Sequence, residues 1–201
     1  MLRILRTLLL LLTGAALCAA SLLLWLSPDP TYQFLEWMNG SQYYAYDSMI
    51  REAGRKYSLD PALIKAIVWR ESRFHAKKVG TSGERGLMQV GDAAARDWAR
   101  SAKIETFVPT DLFDPKTNLD AGVWYFHKAL DRWKSRDDAV PFALGEYNAG
   151  KTRVDRWISS THMNEQATAA DLLAAIDYPT TRQYIDDITA RYRFYKQRGR
   201  L

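Results

Sequence analysis

The sequence contains few of the residues that bind metal ions or form disulfides. Cys18 is its only cysteine, so neither an intrachain disulfide nor a cluster of thiolate ligands can form. The three histidines, His75, His127 and His162, do not have the spacing of a metal site, and nearby acidic residues do not complete one. We therefore expect a protein that works without a metal ion or another cofactor.

Strand patterns and nucleic-acid patterns are also scarce. Alternation of apolar and polar residues is rare along the chain, and no internal repeat is evident. Basic residues are not interleaved with aromatic ones as a nucleic-acid site requires, so we expect no nucleic-acid partner. The net charge of +5 is a mild basic excess that suits an anionic polymer or a membrane surface. The seven tryptophans and eleven tyrosines can fill a core or offer flat faces to sugar rings.

One long apolar run lies at the N-terminus. Arg3 and Arg6 precede an apolar stretch over residues 7–26, which is about the length of a bilayer-spanning helix. A cleaved signal usually has a shorter apolar region, although residues 18–20 loosely resemble a cleavage site. We predict an uncleaved signal anchor over residues 1–26 in the inner (cytoplasmic) membrane. Because the basic end stays in the cytoplasm, the rest of the chain is expected on the periplasmic side.

The remainder of the chain is predicted to be a linker over residues 27–44 and a mainly α domain over residues 45–201. Asp60 and Pro61 indicate a helix start, with Asp60 as the N-cap and Pro61 at the first helical position. Apolar residues at helical spacing predict further helices over residues 119–133, 139–147 (before Gly150) and 181–195.

Glu71 lies where the first of these helices should carry an apolar residue. It follows Ile64 by seven residues and Ile67 by four, which places it on the apolar face. A carboxyl group in an apolar pocket has a raised pKa and can donate a proton near neutral pH, as cleavage of a glycosidic bond requires. The alternative is a structural glutamate that bonds to Arg70 or Arg73 or turns to the surface, and periodicity alone does not decide between the functional and the structural interpretation.

Five short motifs occur in the predicted helical domain, between about residues 45 and 196. They are Glu71-Ser72 with Phe74, Gly86-Leu87-Met88-Gln89, Asn118-Leu119 with Ala121-Gly122, Tyr147-Asn148-Ala149-Gly150, and Thr181-Arg182 with Tyr184. In type and in order, they resemble the motifs of the lytic transglycosylase family, which is related to goose-type lysozymes.

The resemblance implies a lysozyme-like domain of two helical lobes with a substrate cleft. It also implies that Glu71 is the catalytic acid and base that cleaves peptidoglycan glycan strands between N-acetylmuramic acid and N-acetylglucosamine, with closure of a 1,6-anhydro ring. The substrate-binding residues that it implies are Ser72, Met88, Gln89, Tyr147 and Asn148. Among these, Met88 can equally be a core residue.

Three positions depart from the family pattern. Gly80 replaces a common serine, residues 90–92 read Val-Gly-Asp where Ile-Met-Pro is usual, and Thr180 replaces a glutamate that reaches the cleft. We hypothesise that Glu84 or Glu146 supplies the missing negative charge near the sugar, the alternative being that both are ordinary solvated acids.

Three other functions compete with this prediction. A hydrolase of the goose-lysozyme kind would use water instead of the C6 hydroxyl group. A non-catalytic peptidoglycan-binding scaffold would keep the groove without needing Glu71. A specialised enzyme that opens the wall for a cell-envelope machine would use the same chemistry with an additional partner.

Overall fold

A computed structural model describes residues 2–25, 34, 36, 38 and 40–199. The chain divides into two compact units, Met1–Ala45 and Tyr46–Leu201, and each is described by itself.

The first unit contains the long apolar helix α1, Leu2–Trp25. Within it, Ile4–Leu22 has a mean hydropathy of 1.9 and no buried residues, so it is long and apolar enough to cross a membrane. A signal sequence has the same length and composition, so this property alone does not decide between an anchor and a cleaved signal. The predicted linker over residues 27–44 lies mostly outside the described residues, but its last part forms the short helix α2, Gly40–Tyr44.

The second unit is helical, as the sequence predicted. Its α-helices are α3 Asp47–Tyr57, α4 Pro61–Ser72, α5 Asp92–Ser101, α6 Pro115–Arg132, α7 Ala139–Ala149, α8 Lys151–Ser160, α9 Ala169–Ala175 and α10 Pro179–Gln197. Short 3₁₀ helices lie at Pro109–Phe113 and Asn164–Gln166. In the described part of the chain no strand occurs, although isolated antiparallel bridges join Arg85 to Val79 and to Val90.

The predicted helix boundaries have their expected physical causes. The Asp60 carboxylate accepts a hydrogen bond from the amide of Ala62 at 2.9 Å, and Pro61 begins α4. Helix α7 ends at Gly150, whose φ of +87° a residue with a side chain would adopt only at a cost.

Helix α4 lies in the core of this unit. It packs between α3 and α10, and all its residues from Ala62 to Trp69 are buried. Burial of each large aliphatic side chain on this helix stabilises the fold by about 1.5–3 kcal/mol. Helix α7 contacts α6, α8, α9 and α10. These contacts fix the C-terminal end of α4, which carries Glu71, relative to the ends of α7 and α10.

Candidate active site

A cavity of about 400 Å³ opens at the C-terminal end of α4. Its lining comprises Arg70 and Glu71 from α4, Lys78, Val79, Gly80, Thr81, Glu84 and Gln89 from the following turn, and Tyr147 and Asn148 from α7. A second cavity of about 330 Å³ shares Glu84, Gln89 and Tyr147 with the first and extends to Gly91 and Tyr125. The two cavities are therefore neighbours that share these three lining residues.

The carboxyl group of Glu71 lies half-buried at the first cavity. Tyr184 of α10 donates a hydrogen bond from its hydroxyl group to Glu71 Oε1 at 2.6 Å. Burial raises the pKa of Glu71 to about 7, although the Tyr184 hydrogen bond and the charges of Arg70 and Lys78 lower it. The negative charge of Glu84 raises the pKa slightly further. A substantial fraction of Glu71 is therefore protonated near neutral pH, which is the state that a general acid needs.

The two arginines next to Glu71 have other partners. Arg70 Nε donates to Asp187 Oδ2 at 3.0 Å, and its guanidinium group lies over the ring of Tyr184. Arg73 stacks on Trp69, with 3.5 Å between the guanidinium carbon and the ring centroid. The alternative of a structural glutamate bonded to either arginine is therefore wrong.

A buried asparagine fixes the turn that follows α4. The side-chain oxygen of Asn118 accepts from the amide of Met88 at 2.8 Å, and its nitrogen donates to the carbonyl oxygens of Arg85 and Leu112 at 2.7 and 2.9 Å. Gly86 has a φ of +78°, and a Cβ at that position would overlap the Asn118 amide and the Leu112 carbonyl group. The turn therefore requires both Asn118 and Gly86.

Gln89 and Tyr147 hold the same turn at the cavity wall. Gln89 Nε2 donates to the carbonyl oxygens of Lys78 and Gly86 at 3.1 and 3.0 Å. The hydroxyl group of Tyr147 donates to the carbonyl oxygen of Met88 at 2.9 Å. Burial and the nearby Glu71 charge raise the pKa of Tyr147 well above its ordinary value, so the hydroxyl group remains a donor.

Asn148 lies at the cavity edge and connects two helices. Its side-chain oxygen accepts a hydrogen bond from the hydroxyl group of Thr181 at 2.8 Å, which links the end of α7 to the start of α10. Four of the predicted site residues, Glu71, Gln89, Tyr147 and Asn148, therefore line one cavity.

Ser72 and Met88 do not line this cavity. The Ser72 hydroxyl group is buried and donates to the carbonyl oxygen of Val68 within α4 at 3.2 Å. Met88 is fully buried against Gly122, where an added Cβ would lie 2.6 Å from the methionine sulfur. Both residues therefore support the site by packing, and their contact with a substrate stays a prediction.

The structure gives different outcomes for Glu146 and Glu84, the two acids that the sequence hypothesis placed near the sugar. Glu146 is buried, forms an ion pair with Arg132 and accepts from Trp133 Nε1 at 2.8 Å, away from both cavities. The hypothesis is therefore wrong for Glu146. Glu84 lines both cavities.

Sequence reasoning did not assign a site role to Tyr184 or Lys78. In the sequence, Tyr184 is notable only as part of the Thr181-Arg182 motif. Lys78 Nζ donates to the backbone carbonyl oxygen of Glu71 and so satisfies one of the free carbonyl groups at the end of α4. No local pattern identifies either contact, because each depends on how distant segments pack.

Comparison with known proteins agrees with this fold. Residues 48–169 match the family described as the transglycosylase SLT domain. The chain is 36% identical over 139 residues to membrane-bound lytic murein transglycosylase C from Shigella sonnei (strain Ss046). That alignment covers 65% of this chain and 37% of the relative, so the chain spans little more than a third of the relative's length.

Two solved structures show the same helical fold. One is the 70 kDa soluble lytic transglycosylase SLT70 from Escherichia coli, with a TM-score of 0.66, 24% identity, and coverage of 76% of this chain and 25% of that one. The other is an inactive mutant of lytic transglycosylase Slt from Pseudomonas aeruginosa, with a TM-score of 0.67, 22% identity, and coverage of 77% and 24%.

The second unit is thus a helical domain of the SLT70-like fold, with a glutamate of raised pKa at its cavity. The chain belongs to the transglycosylase SLT domain family.

Proposed function

We propose that this protein is a peptidoglycan lytic transglycosylase, with residues 45–201 as its catalytic domain and Glu71 as its single catalytic acid and base. The observation that carries the proposal is the position of Glu71. Its carboxyl group lies at a cavity, its pKa is raised to about 7, and Tyr184 orients one of its oxygens. The lytic transglycosylases to which the chain is similar support the same reaction.

In the first step, Glu71 donates its proton to the oxygen that joins N-acetylmuramic acid to N-acetylglucosamine. The bond between that oxygen and C1 of the muramyl ring breaks, and the departing sugar keeps the oxygen and the proton. Positive charge develops at C1 as Glu71 becomes a carboxylate. The Tyr184 hydroxyl group stabilises this carboxylate through its hydrogen bond.

In the second step, the Glu71 carboxylate removes the proton from the C6 hydroxyl group of the same muramyl residue. Oxygen O6 then bonds to C1, which closes the 1,6-anhydro ring and returns the proton to Glu71. No water is consumed, so no second carboxylate is needed to activate it. Gln89, Tyr147 and Asn148 form the wall against which the sugar binds.

Hydrolysis is the second candidate, and the position of Glu84 is the observation that favours it. An inverting hydrolase uses a second carboxylate to activate water, and Glu84 lines the same cavity as Glu71. The lytic transglycosylases among the similar proteins favour the anhydro product over this alternative.

For localisation, we propose that α1 anchors the protein in the inner membrane and that the catalytic domain faces the periplasm. The apolar stretch Ile4–Leu22 supports a membrane span by length and composition. A relative described as membrane-bound supports the same localisation.

The identity of the products tests the proposal. The full-length protein in detergent is incubated with purified peptidoglycan, and the released fragments are identified by mass spectrometry. We expect 1,6-anhydromuramyl fragments, which are lighter by one water than reducing fragments. Reducing muramyl ends would instead show hydrolysis, and binding without release would show a non-catalytic scaffold.

A further inference from the structure

Two consecutive residues of α4, Arg70 and Glu71, are each bound by a residue of α10. Tyr184 donates from its hydroxyl group to Glu71 Oε1 at 2.6 Å, and Arg70 Nε donates to Asp187 Oδ2 at 3.0 Å. Tyr184 and Asp187 are three positions apart and therefore lie on the same side of α10. The end of α4 is thus joined to α10 by two neighbouring contacts, one of which includes the proposed catalytic acid.

The guanidinium group of Arg70 also covers the ring of Tyr184. Its central carbon lies 5.4 Å from the ring centroid, which is within the range of a cation–π contact. Arg70 lines the first cavity, whereas Tyr184 is buried and does not. Because Asp187 holds Arg70 at Nε, the guanidinium group is fixed over the ring and limits the movement of the ring and of its hydroxyl group.

The ion pair between Arg70 and Asp187 contributes little to folding. The two side chains keep 31% and 32% of their surface exposed, and solvent screens the attraction between charges at such positions. Variants of either residue should therefore fold. We expect the effect of the pair to be local, on the orientation of Tyr184.

Arg70 influences Glu71 in two ways. The charged and titratable groups that act on the Glu71 carboxyl group come from α4, α7, α10 and the turn after α4, and they are Arg70, Tyr147, Tyr184, Lys78 and Glu84. Burial is the largest influence and raises the pKa of Glu71, and the charge of Glu84 raises it further, whereas the Tyr184 hydrogen bond and the charges of Arg70 and Lys78 lower it. Lys78 bonds to the Glu71 backbone, but Arg70 contacts Tyr184. Arg70 can thus act by its charge and through the tyrosine.

We propose that Arg70, held by Asp187, is a positioning residue that keeps the Tyr184 hydroxyl group directed at Glu71 during the reaction. This inference rests on the proposed function. The Glu71 carboxylate forms as the glycosidic bond breaks, and a donor that already points at it stabilises the new charge without having to reorient. Arg70 itself neither gives nor receives a proton.

A double-mutant cycle tests whether Arg70 acts through the tyrosine. The full-length protein in detergent is incubated with purified peptidoglycan, and kcat is measured from the release of anhydromuramyl fragments at the pH optimum of each variant. We expect Arg70→Gln to lower kcat by about fivefold. In the Tyr184→Phe background there is no hydroxyl group to orient, so the same substitution should lower kcat by about 1.5-fold or less.

The pH profile gives a second readout, which a merely structural role would not move. Arg70→Gln removes a positive charge and weakens the Tyr184 hydrogen bond, and both changes raise the pKa of Glu71. The decline of kcat/KM at high pH should therefore move to higher pH. In the Tyr184→Phe background the shift should be smaller, because only the loss of charge remains.

Asp187→Ala tests the positioning with the Arg70 charge in place. It removes the acceptor that holds Arg70 Nε. We expect kcat to fall by about threefold, and again only when the Tyr184 hydroxyl group is present. This variant decides the question by the same comparison if Arg70→Gln does not fold, which thermal unfolding by circular dichroism verifies.

Two further variants are controls. Arg156 has the same two kinds of partner, since it forms an ion pair with Asp177 at 2.9 Å and lies 5.9 Å from the ring centroid of Tyr178, but it lines neither the first nor the second cavity. Arg156→Gln should keep the kcat and the pH profile of the unmodified protein. Lys78→Met removes the other cation that lowers the pKa of Glu71, and its effect on kcat should be the same with and without the Tyr184 hydroxyl group.

An unchanged kcat in folded Arg70→Gln would overturn the inference and leave the proposed function intact. A loss of kcat that is equally large with and without the Tyr184 hydroxyl group would do the same, as would a loss in Lys78→Met that also depends on this hydroxyl group. Absence of anhydromuramyl fragments from the unmodified protein would overturn the proposed function, and the inference with it.

Discussion

The hydroxyl group of Tyr184 lies 2.6 Å from Oε1 of Glu71, although the two residues are 113 positions apart in the chain. Tyr184 is buried on α10 and Glu71 ends the buried face of α4, so the packing of these two helices creates the contact. The hydrogen bond favours the charged form of Glu71, whereas burial favours the neutral form. The balance sets the protonation state of the proposed acid near neutral pH.

The pH dependence of activity follows from this balance. Because Glu71 must be protonated to begin the reaction, kcat/KM should be highest below the pKa of the free enzyme and fall as the pH rises through about 7. Tyr184→Phe removes a contact that lowers the pKa, so the decline should move to higher pH. We also expect kcat at the optimum to fall by about tenfold or less, because one oxygen loses its orientation.

Tyr192→Phe is the matched control for this measurement. Tyr192 is on the same helix, but its hydroxyl group donates to Asp60 Oδ2 at 2.9 Å, at the start of α4. Its removal should leave the pH profile unchanged. A decline that does not move in Tyr184→Phe, or that moves equally in both variants, would contradict the assignment.

Stability should also depend on the protonation of Glu71. Its pKa is 4.5 in an ordinary environment and about 7 in the folded protein, so the folded state binds the proton more tightly. This contribution to stability is fully present below pH 4.5 and is lost as the pH rises to about 7. Glu71→Gln has no such dependence, since its amide is neutral throughout.

We therefore expect the free energy of unfolding of Glu71→Gln, relative to the unmodified protein, to increase by about 1–2 kcal/mol between about pH 4.5 and pH 8. This magnitude allows for the partial exposure of the carboxyl group. Urea unfolding of both proteins at a series of pH values measures the difference. A constant difference would show that Glu71 ionises equally easily in the folded and unfolded states.

Gly86 and Gly83 make a matched pair of glycines in one turn. Both have positive φ, at +78° and +92°, but a Cβ would overlap Asn118 and Leu112 at Gly86 and meet open space at Gly83. Gly86→Ala should therefore destabilise the protein by about 3 kcal/mol or more, because the Asn118 hydrogen bonds are disrupted. Gly83→Ala should cost only about 1–2 kcal/mol, from backbone strain. Equal losses in denaturant unfolding would contradict the proposed role of Asn118.

The sequence predicts helices α4, α6, α7 and α10 because their signals are local. The Asp60 cap, Pro61 and the terminal Gly150 each act within a few residues, and the structure places all three as predicted. The apolar position of Glu71 also follows from helical periodicity, since Ile64 and Ile67 lie on the same face.

Residues that adjoin a site residue along a helix are the ones that the sequence places in the site less reliably. Consecutive helical residues point about 100° apart, so a residue next to a site residue need not reach the site. Glu146 precedes Tyr147 but points into the core towards Arg132 and Trp133. Ser72 follows Glu71 and bonds back to its own helix.

The contact between Tyr184 and Glu71 could not be predicted from spacing either, because it depends on the packing of α10 against α4. The close approach of Glu84 Oε2 to Gly80, where an added Cβ would overlap it, likewise appears only when the turn is folded.

The most direct test of the central claim is the activity of Glu71→Gln on purified peptidoglycan, with fragments identified by mass. The amide keeps the size of the side chain and can still accept the Tyr184 hydrogen bond, but it can neither donate nor take up the proton. We expect anhydromuramyl release to fall by about a thousandfold. Glu105→Gln, which changes an exposed acid outside both cavities, is the control and should retain full activity. If folded Glu71→Gln kept more than about a tenth of the activity, Glu71 would not be the catalytic acid and base.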